Sequence, residues 1–140
     1  MYQNVIIVGR LGRDPEMRYM PNGDPVASFS VATDRRWNDK NGQPQSETTW
    51  FRVSVFGKQA ETVNEYLTKG RMVLIEGRLA VDSSTGGPRL YKRQDGTMAA
   101  SFELVANTVR FLSPNPRGDS ESGGAEDASH ETDMPFNTPQ

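Results

Sequence analysis

Residues 49–56 read T-W-F-R-V-S-V-F, and this stretch alternates between two kinds of side chain. In a β-strand, successive side chains point to opposite faces. One face is then apolar throughout and is formed by Phe51, Val53 and Val55. The other combines flat rings with a cation and a small hydroxyl, and is formed by Trp50, Arg52, Ser54 and Phe56. The first face suits a core, and the second suits a ligand with flat bases and a phosphate backbone. The alternative is a strand buried on both faces, with Arg52 paired to an acid.

Length and composition narrow the possible classes of protein. A chain of 140 residues is sufficient for one ordinary domain, and a hydrophobic content of 34% is low enough to indicate that part of it stays unfolded. The absence of cysteine excludes disulfides and thiolate metal sites. The apolar run at residues 5–8 is too short for a signal peptide or a membrane helix. We therefore expect a cytoplasmic protein with no membrane association.

Charge is distributed unevenly along the chain. Of the 16 lysines and arginines and 18 acids, residues 1–112 contain 15 and 12, a balance of +3. Residues 113–140 contain one arginine and six acids, a balance of −5, and the two parts together give the net −2. A mildly basic domain joined to an acidic tail is typical of proteins that act on nucleic acids.

The remaining segments predict a small barrel. β-Branched and alternating residues predict strands at 4–11, 26–33, 72–81 and 100–112, in addition to 49–56. The first of these, with V-I-I-V at residues 5–8, suggests a strand buried on both faces. Ala60, Val63 and Leu67 recur at helical spacing, and Lys69-Gly70 marks a cationic last turn and a stop.

Five strands with one helix between the third and the fourth is the element order of an all-β, five-stranded OB-fold barrel. A strand–helix–strand step by itself also occurs in split α+β domains. Two long polar segments remain between the strands. Residues 34–48 are predicted to form a loop or a protruding hairpin, and residues 82–99 are predicted to form a long hairpin loop. These are the positions where OB folds hold their ligands.

Both polar segments carry rings beside cations. Trp37 is surrounded by Arg35, Arg36 and Lys40, with little core to enter, so stacking on bases is favoured over packing. Tyr91 has a similar context, although it also suits a role in holding its own hairpin together.

Catalytic and metal sites find little support in the sequence. The single histidine, His130, lies in the polar tail, so the folded part lacks a nucleophile–histidine set. Asp14 with Glu16, and Asp34 with Asp39, lie in turn-like contexts where solvated acids and turn caps are common. We expect no enzymatic activity, no metal and no cofactor.

The chain resembles the bacterial-type single-stranded DNA-binding proteins. The motifs that carry the resemblance are V-G-R-L-G-R-D-P-E-M-R-Y at 8–19, P-N-G at 21–23, W-F-R-V-S-V-F-G-K at 50–58, E-Y-L-T-K-G at 65–70 and I-E-G-R-L at 75–79. The resemblance implies a non-enzymatic OB domain over residues 1–112, a homotetramer, and an acidic tail that recruits replication and repair proteins. It also implies a nucleoid-associated location in the cytoplasm.

By motif, the family's stacking rings fall on Trp37, Trp50, Phe56 and Tyr91. Its basic positions fall on Lys40, Arg52, Lys58, Lys69 and Arg89. Together with Arg35 and Arg36 from the loop, these are the predicted DNA contacts.

Two segments depart from the family pattern. Residues 82–88 are an insertion in the second long loop, immediately before Tyr91. The tail motif, formed by Asp133, Met134, Pro135 and Phe136, is followed here by N-T-P-Q, so we expect Phe136 to lack the free carboxylate usual for partner docking. The remaining alternatives are an RNA-binding or primosome-type OB protein, and a protein–protein adaptor that has lost strand binding.

Overall fold

The computed structural model describes residues 1–113, which form eight strands and one helix. These are β1 (Val5–Leu11), β2 (Glu16–Tyr19), β3 (Pro25–Asn38), β4 (Pro44–Phe56), α1 (Lys58–Tyr66), β5 (Met72–Leu79), β6 (Leu90–Lys92), β7 (Met98–Ala100) and β8 (Phe102–Phe111). The acidic tail of residues 113–140, which its polar composition predicts to be disordered, lies outside the described residues apart from Ser113. So do its predicted docking residues Asp133, Met134, Pro135 and Phe136.

Five of these strands close into a barrel. The sheet runs β1-β5-β8-β4-β3, with β2 added beside β3, and a further pairing of β1 with β3 closes the ring. That closing contact places Arg10 opposite Ala32 and Leu11 opposite Val31. Because β4 and β8 are the one parallel pair among the described strands, the barrel has the mixed connectivity expected of an OB fold. The predicted fold class is confirmed.

The position of the helix in the strand order needs a correction. It lies between β4 and β5, not between the third and fourth strands, because β2 adds one strand to the count. β2 is a short edge strand in which only Met17 faces the core, opposite Ala27. Gly23, at φ 94°, lets the chain turn back into β3. A four-residue strand with one inward side chain has no alternation long enough to detect in a sequence.

The helix covers one end of the barrel core. Ala60, Val63 and Leu67 are buried among inward residues of the strands, as their spacing predicted. The helix ends at Tyr66, and Leu67 is extended, so Lys69 lies beyond the helix and not in its last turn. Gly70 follows at φ 88°, which only glycine adopts readily.

The outer face of β1 is exposed in the single chain, so its expected burial on both faces would require a partner subunit. Ile7 and Leu11 point into the barrel, whereas Ile6 is 58% and Val8 47% exposed. A barrel strand has one inward face, so the second apolar face of β1 remains open in a single chain.

The segment 34–48 is a protruding hairpin, the second of the two alternatives considered. β3 and β4 pair without interruption from Val26–Phe56 to Asn38–Pro44. Asp39 caps the turn, since its Oδ1 accepts hydrogen bonds from the amides of Asn41 and Gln43 at 2.8 and 2.9 Å. The second predicted hairpin is shorter and consists of β6 and β7, which pair with each other in a separate two-stranded sheet. No helix within residues 1–113 is both long and apolar enough to cross a membrane.

Candidate nucleic-acid interface

The two faces of β4 are those predicted from its sequence. Val53 and Val55 are fully buried and Phe51 partly buried, whereas Trp50 is 53% and Phe56 45% exposed. Arg52 is exposed between them and forms no ion pair with any described residue. The alternative of a strand buried on both faces is therefore wrong.

Small residues flank the exposed rings of β4. On the neighbouring strand β3, Ala32 lies opposite Trp50 and Ser30 opposite Arg52. Neither side chain is large enough to cover the indole or the guanidinium. On this side of β4, Trp50 and Arg52 therefore protrude beyond their neighbours on β3.

Two cavities lie beside Trp50 and Arg52. One, of about 430 Å³, lies towards the end of β1 and is lined by Gly12, Arg13, Asp14, Glu16, Ser28, Phe29, Ser30, Trp50 and Arg52. The other, of about 370 Å³, lies towards β8 and is lined by Ser30, Trp50, Phe51, Arg52, Tyr91, Ser101 and Glu103. Since Trp50 and Arg52 line both, they form a ridge between two grooves. The second cavity brings the predicted residues Trp50, Arg52 and Tyr91 together.

Gly12 determines where the Trp50 ring rests. A Cβ atom at position 12 would lie 2.6 Å from Cζ3 and 2.8 Å from Cη2 of Trp50, closer than real Cβ contacts allow. The indole therefore packs directly against the Gly12 backbone, which is itself fixed because its amide donates to the carbonyl of Ser30 at 3.0 Å.

Trp37 lies apart from Trp50. Strand alternation from the buried Val31 places Trp37 on the opposite side of the β3–β4 hairpin from Trp50. The guanidinium of Arg35 lies 4.5 Å from the Trp37 ring centroid, in cation–π contact, and also pairs with Glu47 at 3.2 Å. Trp37 thus has a separate site.

That separate site is a shallow cavity of about 460 Å³ on the same hairpin. It is lined by Arg36, Trp37, Asn38, Pro44, Gln45 and Ser46. Lys40 is exposed in the hairpin turn. Arg35 and Arg36 therefore lie close to Trp37, and Lys40 lies in the turn of the same hairpin. The two tryptophans line different cavities among the three described.

The other predicted cations are spread around the barrel. Lys58 is exposed as the first residue of α1, next to Phe56 and Gly57 at the end of β4. Lys69 is also exposed, and its amide donates to Oδ1 of Asp14 at 2.8 Å. Asp34 accepts a hydrogen bond from Oγ1 of Thr48 at 2.8 Å. Asp14, Asp34 and Asp39 are thus engaged in local hydrogen bonds.

Arg89 is engaged within the protein. One of its terminal nitrogens lies 3.8 Å from Oε1 of Glu103, and its Nε donates to the carbonyl of Val81 at 3.4 Å. The Glu103 side chain is 19% exposed. An acid therefore lines the cavity that also contains Arg52 and Tyr91.

One aspartate caps a turn in the loop before β6, and another caps the turn between β6 and β7. Oδ1 of Asp82 accepts hydrogen bonds from Oγ and the amide of Ser84 at 2.6 and 2.9 Å, and these bonds lower the pKa of Asp82. Asp95 accepts in the same way from the amide and Oγ1 of Thr97 at 2.9 and 2.7 Å, which lowers its pKa. Both carboxylates are held in the charged form by the turns they cap.

Sequence reasoning missed Gly12, Arg13 and Glu103 as residues of this interface. Gly12 and Arg13 lie in the V-G-R-L-G-R motif. The feature of the sequence that could have identified them is a glycine next to an arginine. Nothing in the sequence marked Glu103 as part of the interface, because only the pairing of β8 with β4 brings this acid next to Arg52.

Comparisons with known proteins identify the family and several relatives of this chain. Residues 2–112 match the family model described as the single-strand binding protein family. A single-stranded DNA-binding protein of Neisseria meningitidis is 44% identical over 121 residues, which cover 86% of this chain, and the chain spans 64% of that relative's length. One of Helicobacter hepaticus is 36% identical over 138 residues, covering 99% of this chain and 76% of the relative.

Among solved structures, a Plasmodium falciparum SSB in complex with ssDNA superposes with a TM-score of 0.66 at 27% identity. The match covers 81% of this chain and 97% of that one. The family match, the relatives and the barrel all agree, and the chain belongs to the single-strand binding protein family.

Proposed function

We propose that this protein binds single-stranded DNA with little dependence on sequence and protects it. The observation that carries the proposal is the cavity shared by Trp50, Arg52 and Tyr91, which places two rings and a cation around one space. Rings stack on any base, and a guanidinium attracts any phosphate, so this combination tolerates all sequences.

The proposed contacts divide into rings and cations. Trp50 and Tyr91 stack on bases at the barrel, Phe56 extends this surface along β4, and Trp37 provides a separate stacking site on the hairpin. Arg35 covers one side of the Trp37 ring, and Trp37 remains 37% exposed, so we propose that its open surface takes a base. The phosphate contacts are Arg35, Arg36, Lys40, Arg52, Lys58 and Lys69. A strand that reaches all of them follows a path around the barrel.

We also propose that the protein assembles into a homotetramer. Ile6 and Val8 form an exposed apolar stripe on β1, and covering such a stripe is favourable. A second copy of the chain is the natural cover, and the number four comes from the resemblance to the family.

The wider role we propose is in DNA replication, recombination and repair, at the nucleoid in the cytoplasm and without catalysis. The acidic tail recruits partner proteins through Asp133, Met134, Pro135 and Phe136. Support for this part comes from the sequence of the tail and from the family, since these residues lie outside those the structure describes.

Titration with oligo-dT, followed by the quenching of tryptophan fluorescence, tests the proposed binding. Trp50→Ala and Trp37→Ala should each weaken binding by about 1–3 kcal/mol per stacked base, or roughly five- to 150-fold. Tyr66→Ala is the control, because this ring is similarly exposed but lies on α1 beside Phe111. Full affinity in the double tryptophan variant, with an intact circular dichroism spectrum, would exclude these contacts. Stronger binding to oligo-rU than to oligo-dT would indicate an RNA-binding protein instead.

A further inference from the structure

The β6–β7 hairpin has its own hydrogen bonding and few ties to the barrel. Its two strands pair only with each other among the described strands, from Leu90–Ala100 to Lys92–Met98. The preceding loop is closed on itself, because the amide of Asp82 donates to the carbonyl of Gly87 at 2.9 Å and the amide of Gly86 to the carbonyl of Asp82 at 2.7 Å. Such a unit is ordered within itself, and β7 continues into β8 after one residue, but the placement of the hairpin over the barrel also depends on contacts elsewhere.

Arg89 supplies those contacts. It lies at the junction between the loop and the hairpin, and its guanidinium reaches the carbonyl of Val81 at 3.4 Å and the carboxylate of Glu103 at 3.8 Å. Glu103 belongs to β8, and Val81 follows Ala80, whose amide donates to the carbonyl of Glu103 at 2.8 Å. The Arg89–Glu103 pair is therefore a tie between the hairpin and the sheet.

Glu103 is a fixed end for this tie. It lies on β8 opposite Arg52 of β4, and its carbonyl accepts the amide of Ala80 at 2.8 Å. Its side chain is mostly buried, and its Oε2 accepts a hydrogen bond from Oγ of Ser101 at 3.4 Å. Tyr91 follows Arg89 by two positions and lines the same cavity as Glu103 and Trp50.

We propose that Arg89 and Glu103 are positioning residues, which hold the hairpin so that Tyr91 and Trp50 form the two sides of one preformed slot for a base. The proposal rests on the proposed binding of single-stranded DNA and specifies how this chain arranges its second long loop for it. Arg89 then acts on DNA mainly through Glu103 and Tyr91, and not as a direct phosphate contact.

The direction in which Glu103→Gln changes the affinity for DNA distinguishes a positioning role of Glu103 from an effect of its charge alone. A carboxylate beside a phosphate-binding surface repels DNA, so its neutralisation in Glu103→Gln should tighten binding if Glu103 contributes charge alone. If Glu103 holds the hairpin in place, the same change loosens Tyr91 and weakens binding. The expected loss is about 1.4- to fivefold, the range for a partly exposed ion pair.

The experiment measures the affinity for fluorescein-labelled oligo-dT by anisotropy in Glu103→Gln, Tyr91→Ala and the double variant. Glu103→Gln should weaken binding in the wild-type background but tighten it, or leave it unchanged, in the Tyr91→Ala background. Glu61→Gln, an exposed acid on α1, is the matched control and should not weaken binding. Restored affinity in the exchanged pair Arg89→Glu/Glu103→Arg would further support the tie. Tighter binding of Glu103→Gln in the wild-type background overturns it.

A second measurement needs no DNA. In a Trp37→Phe background, Trp50 is the one tryptophan left, and acrylamide quenching reports its exposure. Glu103→Gln should raise this quenching because the Tyr91 side of the cavity opens, and unchanged quenching overturns the proposal. A protein that binds no oligo-dT at all, yet shows the rise in quenching, refutes the proposed function while leaving the tie between hairpin and barrel intact.

Discussion

The substitution Gly12→Ala tests whether the backbone at the end of β1 positions the stacking ring of Trp50. An added Cβ would lie 2.6 Å from the ring, whereas ordinary carbon contacts are about 3.5–4.0 Å, so the ring must move by about 1 Å. A gap of that size forfeits about a quarter to a half of a contact energy. Applied to stacking of about 1–3 kcal/mol, this gives a loss of roughly two- to tenfold in affinity.

The assay is the anisotropy of labelled oligo-dT, with circular dichroism to check the fold. The backbone at Gly12 is not in the left-handed region, so the substitution adds no conformational strain of its own. The control is Gly12→Ala in the Trp50→Ala background, where no ring remains to be displaced and the further loss should vanish. An equal loss in both backgrounds would refute the positioning of Trp50 by Gly12. So would an unchanged affinity of the single variant.

Three further predictions follow from the exposed stripe, the tail and the capped loop. Ile6→Lys should lower the mass measured by light scattering, because it places a charge on the apolar stripe of β1. Deletion of residues 114–140 should tighten binding to short oligonucleotides at low salt and have no effect at high salt, because a tethered acidic segment competes for the basic surface until ions screen it. In the capped loop, the hydrogen bonds from Ser84 lower the pKa of Asp82. Their stabilisation is therefore present above the ordinary aspartate pKa and is lost as the pH falls through the lowered one. The amide resonance of Ser84, followed by NMR, should titrate with a midpoint below that of a free aspartate.

Each of these predictions has a clear contrary result. A wild-type protein that is monomeric at micromolar concentration would exclude the proposed assembly. Unchanged affinity at low salt after the tail is removed would exclude the competition. For the loop, a titration midpoint at or above the free aspartate value would show that the cap does not favour the carboxylate, and Asp82→Asn should abolish the titration altogether.

Local patterns in the sequence were sufficient for the elements of the barrel. The alternation in residues 49–56 predicted which side chains of β4 face the core, and the spacing of Ala60, Val63 and Leu67 predicted the helix. Both succeeded because the direction of a side chain along a strand or helix is set by the backbone geometry of that element alone. β2 was not predicted, because its strand structure comes from pairing with β3 and its four residues show no strand pattern of their own.

The arrangement of the interface was decided by the tertiary structure. The sequence showed an apolar β1 on both faces, but only barrel closure determined that Ile6 points outward. It identified Trp37 and Trp50 as rings of one kind, but the register of the β3–β4 hairpin placed them on opposite sides. Glu103 became part of the interface only when β8 paired with β4. These features depend on which distant segments meet, and that is fixed by the closure of the barrel and the docking of its loops, which no local period of the sequence encodes.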